Sequence, residues 1–404
     1  MKPASLELLV VALTIVTVSH LVYSVRYRAW VLAFGNMLTV GLLVRGAAER
    51  ALLAGVVLSG YAMLSAMQRG LVRTRALVAA YGAVLVGVLW VVRAHQFTDA
   101  SSQTAQHLPL MPVVGLSYLL FRIGHMLIDA AQGALAPVRF LDYVNYTCAF
   151  YTFVAGPIQR WGDYHTHAMA ETDRARVDVR VGLDRMVDGC LKALVLAPLV
   201  SPFADVAYVL GGDTSSSLLG RFAIWWYAWY VFLYLDFSGF IDIMAGLSIL
   251  VGKPVPENFN RPWLARNLVE FWQRWHITLS QWLRDYVFAP VCLTLARAGL
   301  GGGWITLSLA YFVTFAVAGI WHGPTVSFMR FGVLHGLGLV AVQLGTVVLA
   351  RLPSTWRARY RESWLVRAGA IGLCQTYVAF TILVFAHRPD DLAAVMTAVK
   401  EVLS

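Results

Sequence analysis

The sequence predicts an all-α polytopic membrane protein. Of its 404 residues 59% are hydrophobic and 13% are charged, against about 25% charged in soluble domains. Apolar runs recur at about 20 residues, the length a helix needs to cross hydrocarbon. No polar stretch is long enough to build its own core, so one membrane domain is expected over 1–404. The formal charge of +10 is ascribed to loop arginines on the cytoplasmic side, and no nucleic-acid partner is expected. Cys148, Cys190, Cys292 and Cys374 sit in or near apolar runs without ligand spacing, which predicts small buried hydrophobes and no metal.

Taken in order, the run 8–25 follows a single lysine and lacks a small-residue cleavage site, so it reads as a retained first helix. The expected segments are 5–25, 30–44, 51–67, 76–92, 108–131, 141–158, 183–210, 218–251, 304–321, 331–350 and 365–386, about eleven in all. Arginines place the loop of Arg69, Arg73 and Arg75 inside, with 160–180 (Arg160, Arg174, Arg176, Arg180), 253–297 and 351–361 (Arg351, Arg357, Arg359, Arg361). Loops 94–107 and 211–220 have no Lys or Arg and read as external, and the N-terminus is expected outside. That arrangement forbids 141–158 a full crossing. With Asp142, Asn145, Tyr146 and the Gly156-Pro157 turn, it is expected to re-enter as a broken, buried hairpin. The run 218–251 is too long for one perpendicular crossing, so it is expected to tilt strongly or to break at Gly239.

Polar islands interrupt the apolar runs. Asp236 and Asp242 would each cost at least about 2.5–3.5 kcal/mol if unpaired in the membrane. They either line a site or pair with an arginine of a neighbouring helix. Arg122, His125 and Asp129 share a helix face, and His335 lies within an apolar run. His322 ends another apolar run, where Gly323-Pro324 stops the helix. A partly dry histidine there suits a general base. His165 and His167 are read as solvated loop residues without further ligands. No HExxH, P-loop or GxSxG motif appears.

The most distinctive stretch is 258–290, NFNRPWLARNLVEFWQRWHITLSQWLRDYVFAP. Helical spacing puts Trp272, Trp275, His276, Leu279 and Leu283 on one face. An amphipathic helix over 264–288, lying at the membrane interface, is expected.

This stretch resembles the hallmark region of the membrane-bound O-acyltransferase family. Asn258, Asn260, Pro262, Phe271, Trp272, Arg274, Trp275, His276, Ser280, Trp282, Arg284, Asp285 and Tyr286 fall on the family pattern, and Thr278 stands where Ser is usual. GIWHG follows, with His322 46 residues after His276, and then LHGLGL. YLDFSGFIDIMAGL, PVVGLSYLLFR and FVAGPIQR resemble further family segments. The motif-bearing match runs over 108–390, between N-terminal helices at 1–107 and a tail at 391–404.

The resemblance implies re-entrant or interfacial helices around a central tunnel and acyl transfer from a thioester to a hydroxyl. His322 would be the essential base, and His276 stands where other members carry His or Asn. Support is expected from Asn258, Asn260, Arg274, Trp275, Ser280, Arg284, Asp236 and Trp321. The oxyanion donor is expected to be His276 or a backbone N–H freed near Gly323. No cofactor is expected to be bound. The donor would be acetyl-CoA or an acyl-carrier phosphopantetheine on the cytoplasmic side. LDFSGFID and FAHRPD favour the polysaccharide O-acetylation branch, with a glycan acceptor, an extracytoplasmic partner acyltransferase and a bacterial inner-membrane location. The alternatives are D-alanyl or other acyl transfer to teichoic acid, lipid or protein, and a carrier of acyl groups or lipid-linked sugars without catalysis.

Overall fold

A computed structural model of the chain describes residues 6–22, 24–44, 46–71, 75–98, 115–169, 178–211, 215–300, 303–355 and 362–404. Arg73, Arg174, Arg176, Arg357, Arg359, Arg361, loop residues 99–107 and the start of the 108–131 segment lie outside them. The protein is an all-α, multi-pass membrane protein. Among the described residues seven helices are long and apolar enough to cross a bilayer: Ala47–Gln68, Ala76–Ala94, Val179–Ala204, Leu218–Val251, Trp304–His322, Val326–Arg351 and Trp364–Ala386. Exposed Trp364 and Leu373 suit a lipid neighbour.

The chain packs as two compact units, residues 1–191 with 239–256, and residues 192–238 with 257–404. In the first, the expected broken hairpin is present as short helices Phe140–Thr147 and Phe150–Phe153. Its freed carbonyls are gathered by buried Arg122. One guanidinium nitrogen donates to Tyr146 O at 2.9 Å and to Thr152 Oγ1 at 2.9 Å, and the other donates to Thr152 O at 2.9 Å. A delocalised cation solvated by carbonyl dipoles does the work of water where water is excluded. His125 is built in as well: Trp161 N–H donates to Nε2 at 3.1 Å, so the neutral ring carries its hydrogen on Nδ1 and gives it to Phe121 O at 3.1 Å.

Asp242 takes the pairing option. Arg185 Nε donates to its Oδ1 at 2.7 Å. The two helices meet closely because glycines line the crossing: a Cβ on Gly246 would stand 2.5 Å from Gly182 O, and one on Gly189 would stand 2.6 Å from Gly239 O. Gly239 therefore does not break its helix. Ser215–Val251 runs unbroken for 37 residues, about 55 Å at the usual rise. His165 lies on the helix Trp161–Met169 and not in a loop; it is exposed and tilted against Trp161.

The second unit holds every residue proposed for the site. Its core gathers Tyr230, Leu268, Phe271, Trp275, Phe315, Leu339 and Val378. The helices Trp304–His322 and Val326–Arg351 form a hairpin that closes through Gly319 and Gly332, where a Cβ on either would come within 3.1 Å of the other's Cα.

Candidate functional site

The expected helix over 264–288 is not continuous. Leu268–Trp272 ends, the chain turns through Gln273–His276, and Ile277–Leu283 begins afresh with His276 as its N-cap in the left-handed region (φ 44°, ψ 51°). The cause is a long-range pairing. Phe259 and Trp275 form an isolated antiparallel bridge, Asn260 N–H donates to Arg274 O at 2.9 Å, and Ile277 N–H donates to Asn258 O at 3.0 Å. These bonds outcompete the helical ladder at the turn. Phe271, Trp275 and His276 are buried as a result, with Phe271 and Trp275 stacked at 5.6 Å.

The NFN segment thus brings Asn258 beneath His276. Asn258 Oδ1 lies 3.3 Å from His276 Nδ1, 3.1 Å from Thr278 N and 2.8 Å from Thr278 Oγ1. Thr278, which stands where Ser is usual in the family pattern, supplies here the hydroxyl that Ser would supply. Phe237 packs edge-on to the His276 ring at 5.0 Å. Burial pushes the His276 pKa down to about 3, so the ring is neutral at physiological pH.

Four of the other supporting residues line two cavities, and Trp275, Asp236 and Trp321 line neither. Ser280 and Arg284 border one of about 410 Å³, walled chiefly by Trp272, Ile277, Phe288 and Phe315. A π-helical turn, Arg284–Phe288, supplies two of its walls, the kind of helix irregularity that recurs at functional sites. Asn260 and Arg274 border the second, polar cavity of about 590 Å³. There Glu270 accepts from Arg266 Nε at 3.0 Å and from Arg274 at 3.0 Å. Desolvation alone would raise the Glu270 pKa, but these arginine bonds outweigh it and hold the carboxyl below its usual range.

His322 ends its helix as expected, with Gly323 as C-cap at φ 148°. Its described surroundings are aromatic: Trp321 at 4.6 Å, Phe385 edge-on at 4.9 Å, and Phe328 and Phe331 at 5.8 Å each. The Gly323 N–H is not freed. It donates to Ile320 O at 3.2 Å. Asp236 is half-buried, next to Phe237 in its helix.

Hydrogen bonding sorts the remaining histidines of the unit. Trp272 Nε1–H donates to His335 Nδ1 at 3.2 Å, so neutral His335 carries its hydrogen on Nε2 and gives it to Thr381 Oγ1 at 2.9 Å. Thr381 passes its own hydrogen to Val378 O at 2.9 Å. His387 accepts from Trp229 Nε1 at 3.1 Å and donates from Nδ1 to Leu383 O at 3.2 Å. Both therefore have two committed ring nitrogens, which is a structural role. Phe331 touches both His322 and His335 (4.5 Å to the latter), so the braced ring backs the site. Among the described residues no group of His, Cys, Asp and Glu is placed to hold a metal ion.

A sequence profile of the membrane-bound O-acyltransferase family, MBOAT, matches residues 76–383. The match reaches one helix nearer the N-terminus than the motifs do. The chain is 30% identical over 258 residues to a probable alginate O-acetylase AlgI of Pseudomonas fluorescens, covering 61% of this chain and 48% of that protein. It is 30% identical over 239 residues to a teichoic acid D-alanyltransferase of Streptococcus thermophilus, covering 57% of each. It is 26% identical over 323 residues to the teichoic acid D-alanyltransferase of Bacillus subtilis, covering 76% of this chain and 78% of that one. The chain spans about half the length of the alginate O-acetylases it matches. With the family profile spanning most of its length, and with the paired histidine motifs in place, the chain belongs to the membrane-bound O-acyltransferase family.

Proposed function

We propose that this protein is an O-acyltransferase of the bacterial cytoplasmic membrane. It moves a short acyl group, acetyl in the favoured form, from a cytoplasmic thioester to hydroxyls of an extracytoplasmic polysaccharide. The observation that carries the reading is His322: a histidine at the very end of a membrane helix, ringed by Trp321, Phe328, Phe331 and Phe385, in a chain of this family. Neutral His322 takes the proton of the acceptor hydroxyl as its oxygen attacks the thioester carbonyl, and the thiol leaves. No acyl-enzyme is invoked. The donor is acetyl-CoA or an acyl-carrier phosphopantetheine, whose arm reaches the acceptor through a tunnel that keeps the ester from bulk water. Asn258, Asn260, Arg274, Trp275, Ser280, Arg284, Asp236 and Trp321 support the site, and an extracytoplasmic partner acyltransferase completes delivery.

A second reading, D-alanyl transfer to teichoic acid, is favoured by one observation. The Bacillus subtilis teichoic acid D-alanyltransferase aligns over 78% of its length, against 48% for the Pseudomonas fluorescens alginate O-acetylase. The test is the acyl-ester content of envelope glycans in cells carrying wild type or His322→Ala, at equal membrane levels. Loss of a general base lowers the rate by about 10²–10⁴-fold, so esters are expected to vanish for the variant. Unchanged esters would exclude His322 as the base and bring the carrier reading forward. The released acyl group decides between acetyl and D-alanyl.

A further inference from the structure

Asn258 is completely buried and its amide is locked in one orientation. The Thr278 backbone N–H, which can only donate, meets one end of that amide at 3.1 Å, and the Thr278 hydroxyl donates to the same atom at 2.8 Å. That end is therefore the oxygen. Turned over, the amide would set its own N–H against the Thr278 N–H. The cost of the lock is visible at the other end, where Nδ2 is buried with no hydrogen-bond partner.

The same oxygen faces His276 Nδ1 at 3.3 Å. A ring nitrogen facing a carbonyl oxygen at that distance carries a hydrogen. A neutral imidazole has only one N–H, so the lone pair is on Nε2. We propose that Asn258 is a positioning residue that fixes His276 as its Nδ1–H tautomer and makes it a hydrogen acceptor at Nε2. His276 then serves the site by accepting a hydrogen bond from a hydroxyl and not by donating one to an oxyanion. That use rests on the acyltransferase reading above; the tautomer does not. His335 offers an internal contrast, because the Trp272 indole imposes the opposite tautomer on it.

The test is ¹⁵N NMR of the full-length protein, histidine-labelled, in lipid bilayers, with His276→Asn and His335→Asn used for assignment. The expected wild-type result is a pyrrole-type Nδ1 and a pyridine-type Nε2 for His276, and the reverse for His335. Asn258→Asp keeps an oxygen for Thr278 and for Nδ1–H and is expected to keep the Nδ1 proton. Asn258→Leu removes the acceptor and is expected to release the proton to Nε2. Thr278→Val leaves the backbone N–H in place and is expected to change nothing. A pyridine-type Nδ1 in wild-type His276 overturns the proposal, as does an unchanged tautomer in folded Asn258→Leu. If Asn258→Leu does not fold, the wild-type spectrum decides alone. In the acyl-transfer assay Asn258→Leu is expected to lose about 10²-fold, with Asn258→Asp restoring most of it; equal losses overturn the positioning role. Wild-type protein with the expected tautomer but no acyl transfer would overturn the functional reading and leave this one standing.

Discussion

Replacing Gly332 by alanine measures how tightly the His322 hairpin is closed. The new Cβ would stand 2.5 Å from Phe315 O, 3.1 Å from Gly319 Cα and 3.3 Å from Gly319 N. All three are backbone atoms, so no rotamer relieves the contact and the two helices must separate. Overpacking of this kind costs about 1–3 kcal/mol, while alanine in place of glycine returns about 0.5–1 kcal/mol of helix propensity. Gly345 lies on the same helix with nothing within 4 Å of its built Cβ. Gly345→Ala carries the propensity gain without the clash. The difference between the two variants therefore isolates the steric term, about 1–3 kcal/mol against Gly332→Ala. Reversible unfolding in mixed detergent micelles, followed by tryptophan fluorescence, reads that difference. The expected order is Gly345→Ala at or above wild type and Gly332→Ala below it. Equal stability of the two variants would refute the close crossing. The same crossing sets where His322 ends up, so Gly332→Ala is also expected to lower acyl transfer at equal folded protein.

Two further predictions concern buried ionisable groups. Arg185→Ala takes the ion pair away from buried Asp242 and is expected to cost toward the lower end of about 3–5 kcal/mol because the Arg185 side chain is 30% exposed; membrane yield of that variant should fall, and Arg185→Met with Asp242→Leu should recover it. His276 is held neutral with a pKa of about 3, against 6.5 for an unrestrained ring. The unfolded chain therefore binds the extra proton between those values, so this contribution to stability is complete above pH 6.5 and drains away as pH falls toward 3. An acid titration of unfolding should show a shallower decline for His276→Asn than for wild type over that window; identical slopes would refute the buried neutral ring.

Hydropathy reveals the fold because membrane helices satisfy their backbone within themselves, so each run of apolar residues marks its own helix. His322 at a helix end was legible for a similar reason: Gly323-Pro324 is a local stop. The break at His276 was not. The pattern from Leu268 to Leu283 satisfies helical spacing throughout, and what interrupts it is Asn258, Phe259 and Asn260 arriving from 14 to 20 residues upstream. No short window holds both partners. Arg185 and Asp242 are 57 residues apart, so the sequence left open which option Asp242 takes. Gly239 misled by its ambiguity, since glycine serves a bend and a close crossing equally well and here it serves the crossing with Gly189.

The left-handed backbone at His276 has a consequence for how this position is probed. With φ at 44° and ψ at 51°, the peptide frame itself discriminates among side chains before any chemistry is asked of them. Asparagine, aspartate, histidine and glycine tolerate that region best, and most other residues are strained there. The His or Asn that family resemblance assigns to this position coincides with that tolerance. Alanine, the habitual probe, would report a twisted backbone together with a missing imidazole. Asparagine removes the ring while leaving the frame at ease, so it is the substitution that asks a chemical question here.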